Sequence, residues 1–556
     1  MEFLKLAETL DTVSKTRKRR EKISIVSEVL RELKGDELKL AAIYLAGKIF
    51  PQNEERTLNI SWKGLLGSLH RVIDFSDEDF GKFYNGDVGE AVALLFSEKQ
   101  VTQSLLFQDP LTITHVGESF ETIAKLEGKG SQREKQSIVS GLLSQASPRE
   151  IRYLVALILN DMRTGLSEGL LVDCIAEAFS VNIEDVRRAW SFSGDLGEVA
   201  RVSASKESSG LSKIELKPMV AVRPMLASPV DDINDVFDEK KNSEISFELK
   251  MDGARVQIHK FGREIRVFSR NLNDVTESLP DIVDNLKKQV KAETIVLDGE
   301  VIAVDSKGIP YPFQIVMRRF GRTKDIEEVH KKIHLQLHNF DILFLNGKML
   351  VDEPYSGRRK QLEGVVPKEM VMERVVTNDV QVANGFFEHS KKMGHEGLVA
   401  KMLDSPYVPG VRGKYWLKIK HTLNTLDLVI IAAEWGHGRR AKWLSDYHLA
   451  VFDEDTGEYV MIGKTFKGLT DQEFQLMTDR LQELSIGEKR NLVRVKPEIV
   501  VEVLASELQE SPKYASGIAL RFARITRIRD DKKPDNCTTL TELQAIYEKQ
   551  FHFKAR

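Results

Sequence analysis

The sequence predicts a multidomain chain: an all-α domain, then an α+β domain with antiparallel sheets, then a C-terminal OB-fold β-barrel closed by a helix. Three observations predict it. Up to about Ala200 apolar residues recur at helical spacing, as at Val26, Val29, Leu30 and Leu33. Between Val256 and Val267, apolar and polar residues alternate on either side of Phe261-Gly262, the pattern of a β-hairpin. Beyond Leu426, short alternating strands follow one another at Leu426 to Ala432, Tyr447 to Phe452, Tyr459 to Ile462 and Glu498 to Leu504, with a turn at Asp455-Thr456-Gly457.

Length and composition bound the rest. A chain of 556 residues has room for three or four domains. No run of eighteen apolar residues occurs, and the start Met-Glu-Phe-Leu-Lys-Leu-Ala-Glu does not read as a signal peptide, so the expected location is cytoplasmic, with no membrane contact. Two cysteines, Cys174 and Cys537, suit a reducing compartment and leave no disulfide framework or zinc site. A net charge of −3 means that any nucleic-acid contact must come from basic residues gathered on one face.

In the helical region Arg17-Lys18-Arg19-Arg20 opens an apolar helix and reads as its solvated face rather than as a targeting signal. Two small-residue turns, Glu127 to Arg133 and Asp161 to Glu168, feed helix N-termini. Free N–H groups there could hold a phosphate without reading a base, although spacing alone favours plain capping, with Ser167 as N-cap. Gln103-Ser104-Leu105-Leu106-Phe107, a glutamine and an apolar-aromatic cluster, stands just before Asp109-Pro110 and on its residues could be a core segment. The polar stretch Val202 to Gly210 marks a first boundary and His421 to Thr425 a second, giving domains 1–213, 214–422 and 423–556. At the C-terminal end Thr539 and Glu542 form a capping box, with Leu543, Tyr547 and Phe551 on one helix face.

The chain is organised around Phe247-Glu248-Leu249-Lys250-Met251-Asp252-Gly253-Ala254-Arg255, a strand ending in a tight loop with one lysine at its end. The glycine would allow the close backbone approach that a phosphate needs. Downstream come Ser269-Arg270-Asn271, Asp298-Gly299-Glu300, Phe340-Asp341, Glu396-Gly397-Leu398-Val399-Ala400-Lys401, Trp416-Leu417-Lys418-Ile419-Lys420, and a basic segment from Arg521 through Lys532. In this order they resemble the motifs of the covalent nucleotidyltransferase superfamily, and specifically the ATP-dependent DNA ligases of the archaeal and eukaryotic replicative type. The resemblance covers nearly the whole chain.

The resemblance implies an all-helical DNA-binding domain, an adenylation (nucleotidyltransferase) domain and an OB-fold domain. It implies ATP-dependent sealing of 5′-phosphate/3′-hydroxyl nicks in duplex DNA through a lysyl-AMP intermediate, in replication, repair and recombination, by a monomer. Lys250 would be the nucleophile. Because its amine must be neutral to attack, cations at Lys418, Lys420 and Arg255, together with a bound Mg²⁺ (Mn²⁺ substituting), are expected to disfavour the ammonium form. Glu248 would accept from the adenine amino group, Phe340 would stack on the base, and Glu300 and Arg270 would hold the ribose. Arg412, Lys418 and Lys420 would complete the ATP site, Glu300 and Glu396 would place the metal, and Arg527, Arg529 and Lys532 would meet the leaving pyrophosphate. The turns at Glu127 and Asp161 resemble DNA-contacting turns, and Gln103, Leu106 and Phe107 resemble a sliding-clamp box, which often carries paired aromatics where this chain has one. An RNA ligase or a capping guanylyltransferase would share the Lys250 chemistry, but the long helical region argues against both. The intact Lys250, Glu300, Glu396, Lys418 and Lys420 argue against a non-catalytic scaffold.

Overall fold

The computed structural model describes residues 1–54, 56–99, 109–205, 210–239, 243–320, 333–421, 425–550 and 554. Twelve α-helices, from Phe3–Lys15 to Leu196–Ala204, make up the N-terminal domain among these residues. They surround one core in which Phe3, Tyr44 and Phe120 meet edge to face. Arg19 and Arg20 of the basic run open the helix Arg19–Glu32, where the buried Lys22 donates to the Thr164 carbonyl at 2.7 Å and so ties the helix to the Asp161–Glu168 turn. Ser167 caps the helix Glu168–Phe179 by accepting from Leu170 N–H. The helix Leu196–Ala204 takes up the start of the stretch expected as a linker; residues 206–209 and 422–424, in the two expected boundaries, lie outside the described residues. So do Gln103, Leu106 and Phe107.

The central domain stacks two five-stranded sheets. The first has the order β1 (Leu226–Pro229), β10 (Arg412–Lys420), β9 (Gly397–Met402), β2 (Ile245–Lys250), β8 (Arg374–Thr377) and is antiparallel except where β1 meets β10. The second is fully antiparallel: β4 (Glu264–Ser269), β3 (Ala254–Phe261), β5 (Thr294–Val304), β6 (His334–Leu345), β7 (Lys348–Met349). The expected hairpin is β3–β4, with Gly262 at φ +58° in the turn. The chain passes from sheet to sheet through Met251-Asp252-Gly253. A Cβ on Gly253 would lie 2.4 Å from the Val301 carbonyl oxygen. The close approach expected of this glycine is therefore made to β5, so the glycine serves packing and brings the two sheets together beside Lys250.

The C-terminal domain is built on β11 (Leu426–Trp435), β12 (Leu444–Asp453), β13 (Glu458–Thr465), β14 (Ser485–Lys489), β15 (Leu492–Val495), β16 (Val500–Leu504) and β19 (Arg524–Ile528), all in one seven-stranded sheet, with β17 (Glu507–Glu510) and β18 (Ile518–Arg521) paired separately. The pairings run β13-β12-β11-β15-β14, with β16 joining β11 to β19. No pairing among the described residues closes this sheet into a full barrel. The helix Leu540–Gln550 starts from the expected capping box, Thr539 N–H reaching Glu542 at 3.0 Å and Glu542 N–H reaching Thr539 Oγ1 at 3.2 Å.

Charged and polar contacts hold the domains against one another. Arg188 grips Asp352 through two bonds of 2.8 and 2.7 Å, and Arg223 lies over the Trp190 ring while pairing with Glu168 at 3.0 Å. On the other side Gln314 meets Gln509, and Lys554 reaches Asp252 at 2.7 Å.

Candidate active site

Strand register assembles the site. Lys250, Gly397 and Lys420 stand abreast across β2, β9 and β10, and one step along the row are Glu248, Val399 and Lys418. Residues two apart on a strand share a face, so Glu248, Lys250, Lys401, Trp416, Lys418 and Lys420 all point to one side. That side forms the wall of a cavity of about 730 Å³. Gly397 has φ +146°, and its would-be Cβ would lie 2.1 Å from the Ile419 carbonyl oxygen, so no other residue fits there. The turn it permits aims Glu396 between the two lysines. The second sheet supplies Arg255, Glu300 and Phe340 from β3, β5 and β6, and Arg270 and Arg412 reach the same cavity from the end of β4 and the start of β10.

Electrostatics around the row set the charge of Lys250. Glu396 Oε2 lies 2.7 Å from Lys250 Nζ and 2.6 Å from Lys420 Nζ. Burial pulls the Lys250 pKa down, but the Glu396 and Glu300 carboxylates outweigh it, and the group ends above its ordinary value. The lysine paired with Glu396 is therefore held as an ammonium. Arg255, one of the cations expected to act on Lys250, pairs its guanidinium with Asp298 through bonds of 2.9 and 2.6 Å. For Glu396, burial pushes upward, yet Lys250 and Lys420 hold the carboxyl well below the usual range. Lys418 is lowered by burial and by Lys250, Lys420, Arg412 and Arg270. Such a concentration of cations calls for a polyanion.

Glu300 is pushed up to about 7 by burial, against the opposing pull of Lys250 and Arg255. A carboxyl left so poorly compensated next to a second carboxylate, Glu396, fits a hard divalent cation that keeps most of its ligands as water and phosphate oxygen. No group of three or more His, Cys, Asp or Glu side chains placed to hold a metal ion occurs among the described residues.

Phe340 lines the cavity at right angles to the Trp416 ring, and the Lys401 ammonium stands 4.6 Å from its ring centre. Asp341, the other half of the aromatic-Asp pair, is fully buried and gripped by Arg358 at 2.8 and 3.0 Å, so it braces the domain rather than facing the cavity.

The C-terminal segment departs from its expected placement. Arg527 is exposed on β19, while Arg529 and Lys532 are both tied to Asp427 within their own domain. None of the three reaches the cavity. Arg521 and Phe522 do, together with Ser506, and Arg521 also approaches Asp252 at 3.8 Å and pairs with Glu507 at 2.8 Å. Lys554 adds a second cation on Asp252, so the loop after Lys250 is clasped from the C-terminal domain.

Sequence reasoning left several of these residues without a role. Lys401 and Arg521 stood inside the motifs and could have been found there; Arg358 and Lys554 carried no local signal.

Comparison with known proteins agrees with this architecture. Residues 2–176 match the family model "DNA ligase N terminus", residues 224–420 "ATP dependent DNA ligase domain" and residues 440–532 "ATP dependent DNA ligase C terminal region". The chain is 42% identical to DNA ligase 1 of Korarchaeum cryptofilum, covering 98% of both chains, and 40% identical to the DNA ligase of Thermococcus onnurineus, covering 100% of this chain and 99% of that one. Among solved structures, one called Pmar-Lig_PreS3 shares the fold at a TM-score of 0.56 and 17% identity, over 94% of this chain and 99% of that one. With a lysine-centred polyanion cavity between two sheets and matches to the family's three regions, the chain belongs to the ATP-dependent DNA ligase family.

Proposed function

We propose that this chain seals nicks in duplex DNA that carry a 5′-phosphate and a 3′-hydroxyl, using ATP and a lysyl-AMP at Lys250. The observation that carries the reading is the ion-paired cluster of Lys250, Glu396 and Lys420, with one lysine at a strand end in a cation-rich cavity. Lys250 Nζ attacks the α-phosphorus of ATP, an N–P bond forms, and the bond to the β-phosphate oxygen breaks with loss of pyrophosphate. The 5′-phosphate of the nick then takes the AMP from the lysine. The 3′-hydroxyl attacks the activated phosphate, AMP leaves and the strand is joined.

Before the first attack the Lys250–Glu396 pair must open and the ammonium must lose its proton. Mg²⁺ or Mn²⁺ at Glu300 and Glu396 would supply charge neutralisation of the phosphates. In this reading Glu248 accepts from the adenine amino group, Phe340 stacks on the base, and Arg270 and Glu300 orient the ribose. Lys418, Lys420 and Arg412 hold phosphate oxygens, and Arg255 anchors the cavity wall through Asp298. Arg527, Arg529 and Lys532 meet the pyrophosphate only if the C-terminal domain turns to present another face.

The domains are proposed as 1–213 for DNA binding, 214–422 for adenylation and 423–556 as an OB fold, acting as a monomer in replication, repair and recombination. Gln103, Leu106 and Phe107 are proposed as a sliding-clamp box. Among the described residues no helix is long and apolar enough to cross a membrane. The test is sealing of a nicked duplex by the purified chain with ATP, alongside acid-labile labelling by ATP on a denaturing gel. Lys250→Ala should abolish both, and undiminished labelling of that variant would remove Lys250 from its role.

A further inference from the structure

We propose that Arg359 and Tyr355 are positioning residues that decide which base the cavity accepts, by holding Glu248 so that one carboxylate oxygen is saturated and the other stays open for an exocyclic amine. This rests on the reading of Glu248 as the group that meets the adenine amino group.

Glu248 lies on β2, two residues before Lys250, and is only 1% exposed. Its Oε1 accepts from both the Tyr355 hydroxyl and Arg359 Nη1, the latter at 3.1 Å. Its Oε2 has one partner among the described residues, the Lys401 ammonium at 2.6 Å. A carboxylate oxygen has two lone pairs, so Oε1 is full and Oε2 has one acceptor position left. Glu248 lines the cavity, whereas Tyr355 and Arg359 stand behind it and do not. The open position is thus the one available to a ligand, and the donors that create it never touch that ligand.

The neighbours of Arg359 fix its direction. Its Nη2 donates to the Met372 carbonyl and its Nε to Glu363 at 2.8 Å, so the planar fork is held on three sides. Lys401 is held as well, donating to the Phe340 carbonyl at 2.9 Å while standing over the Trp416 ring. With no donor at Oε1, the carboxylate could rotate and turn its free lone pair away from the cavity. With Oε1 filled, the cavity presents an acceptor, which welcomes a 6-amino purine and leaves a 6-unsubstituted one without a partner.

The experiment measures the rate of lysyl-AMP-type adduct formation by the full chain with ATP and with purine riboside triphosphate, which lacks the 6-amino group. Wild type should prefer ATP by about tenfold or more in kcat/KM, the size of one charge-assisted hydrogen bond. In Arg359→Met the preference should fall to within about threefold, through a higher KM for ATP with kcat largely kept. Tyr355→Phe, which removes a single hydroxyl, should give an intermediate loss, and Arg359→Lys should recover part of the preference. Should Arg359→Met fail to fold, Tyr355→Phe decides alone. A wild type that prefers ATP, with folded variants that keep the same ratio, would overturn the proposal. A wild type with no preference would instead refute the reading of Glu248 itself, and the proposal with it.

Discussion

Changing Glu396 to Gln keeps the shape of the side chain and removes the one carboxylate shared by Lys250 and Lys420. At the 2.7 Å separation of Lys250 Nζ from Oε2, two unit charges attract by about 6 kcal/mol at an effective dielectric of ~20. That figure is a ceiling, since Lys420 shares the oxygen and Glu300 and Asp252 remain near the ammonium. Even a quarter of it corresponds to about one pH unit. Burial already pulls Lys250 down, so with Glu396 neutral only Glu300 and Asp252 are left to oppose it. The assay is competitive acetylation of the nucleotide-free chain across pH, with the Lys250 peptide followed by mass spectrometry, and it needs no catalysis. The midpoint of Lys250 reactivity should fall by at least about one unit relative to wild type. A midpoint that stays in place would refute the assignment of Glu396 as the group that keeps the resting lysine protonated.

Three further outcomes follow from the same geometry. Phe340→Ala should weaken ATP use in lysyl-AMP formation by about tenfold or more, since base–aromatic stacking is worth roughly 1–3 kcal/mol; an unchanged KM and kcat for adenylation would count against stacking. Glu300 has a folded pKa raised to about 7, so the folded state binds its proton more tightly than the unfolded chain and loses stability as pH rises through that value. Glu300→Gln should accordingly raise Tm more at pH 8 than at pH 5 in metal-free buffer, and equal shifts would contradict the assignment. Replacing Arg527, Arg529 and Lys532 together by alanine should cripple lysyl-AMP formation while sparing sealing of a nick supplied already 5′-adenylated; equal losses would assign the segment to DNA binding or to the Asp427 contacts that hold its own domain together.

What could be read from the sequence was what lies close together along it. The lysine loop, the β3–β4 hairpin, the Thr539 capping box and the same-side pairing of Lys418 with Lys420 are all set by spacings of a few residues. What could not be read depends on partners brought together by folding. Tyr355 meets Glu248 across 107 residues, and Lys554 meets Asp252 across 302, with no periodicity to announce either. Nor could spacing show which charge stands beside Lys250: cations crowd the motifs along the chain, but the fold sets the Glu396 carboxylate 2.7 Å from the amine. Arg529 and Lys532 were likewise read by charge alone, while the fold had already paired both with Asp427.

The row across β2, β9 and β10 also bears on which insertions and deletions the chain can survive. Side chains alternate from face to face along a strand, so one residue added or lost within β9 would either turn Lys401 out of the cavity or shift Gly397 from the position where its φ of +146° is needed. Length changes in this family should therefore collect in the connections between these strands. A single-codon deletion inside any of the three would act as a loss of the whole site, and a second deletion in the same strand would restore the facing of its side chains without restoring their alignment with the neighbouring row.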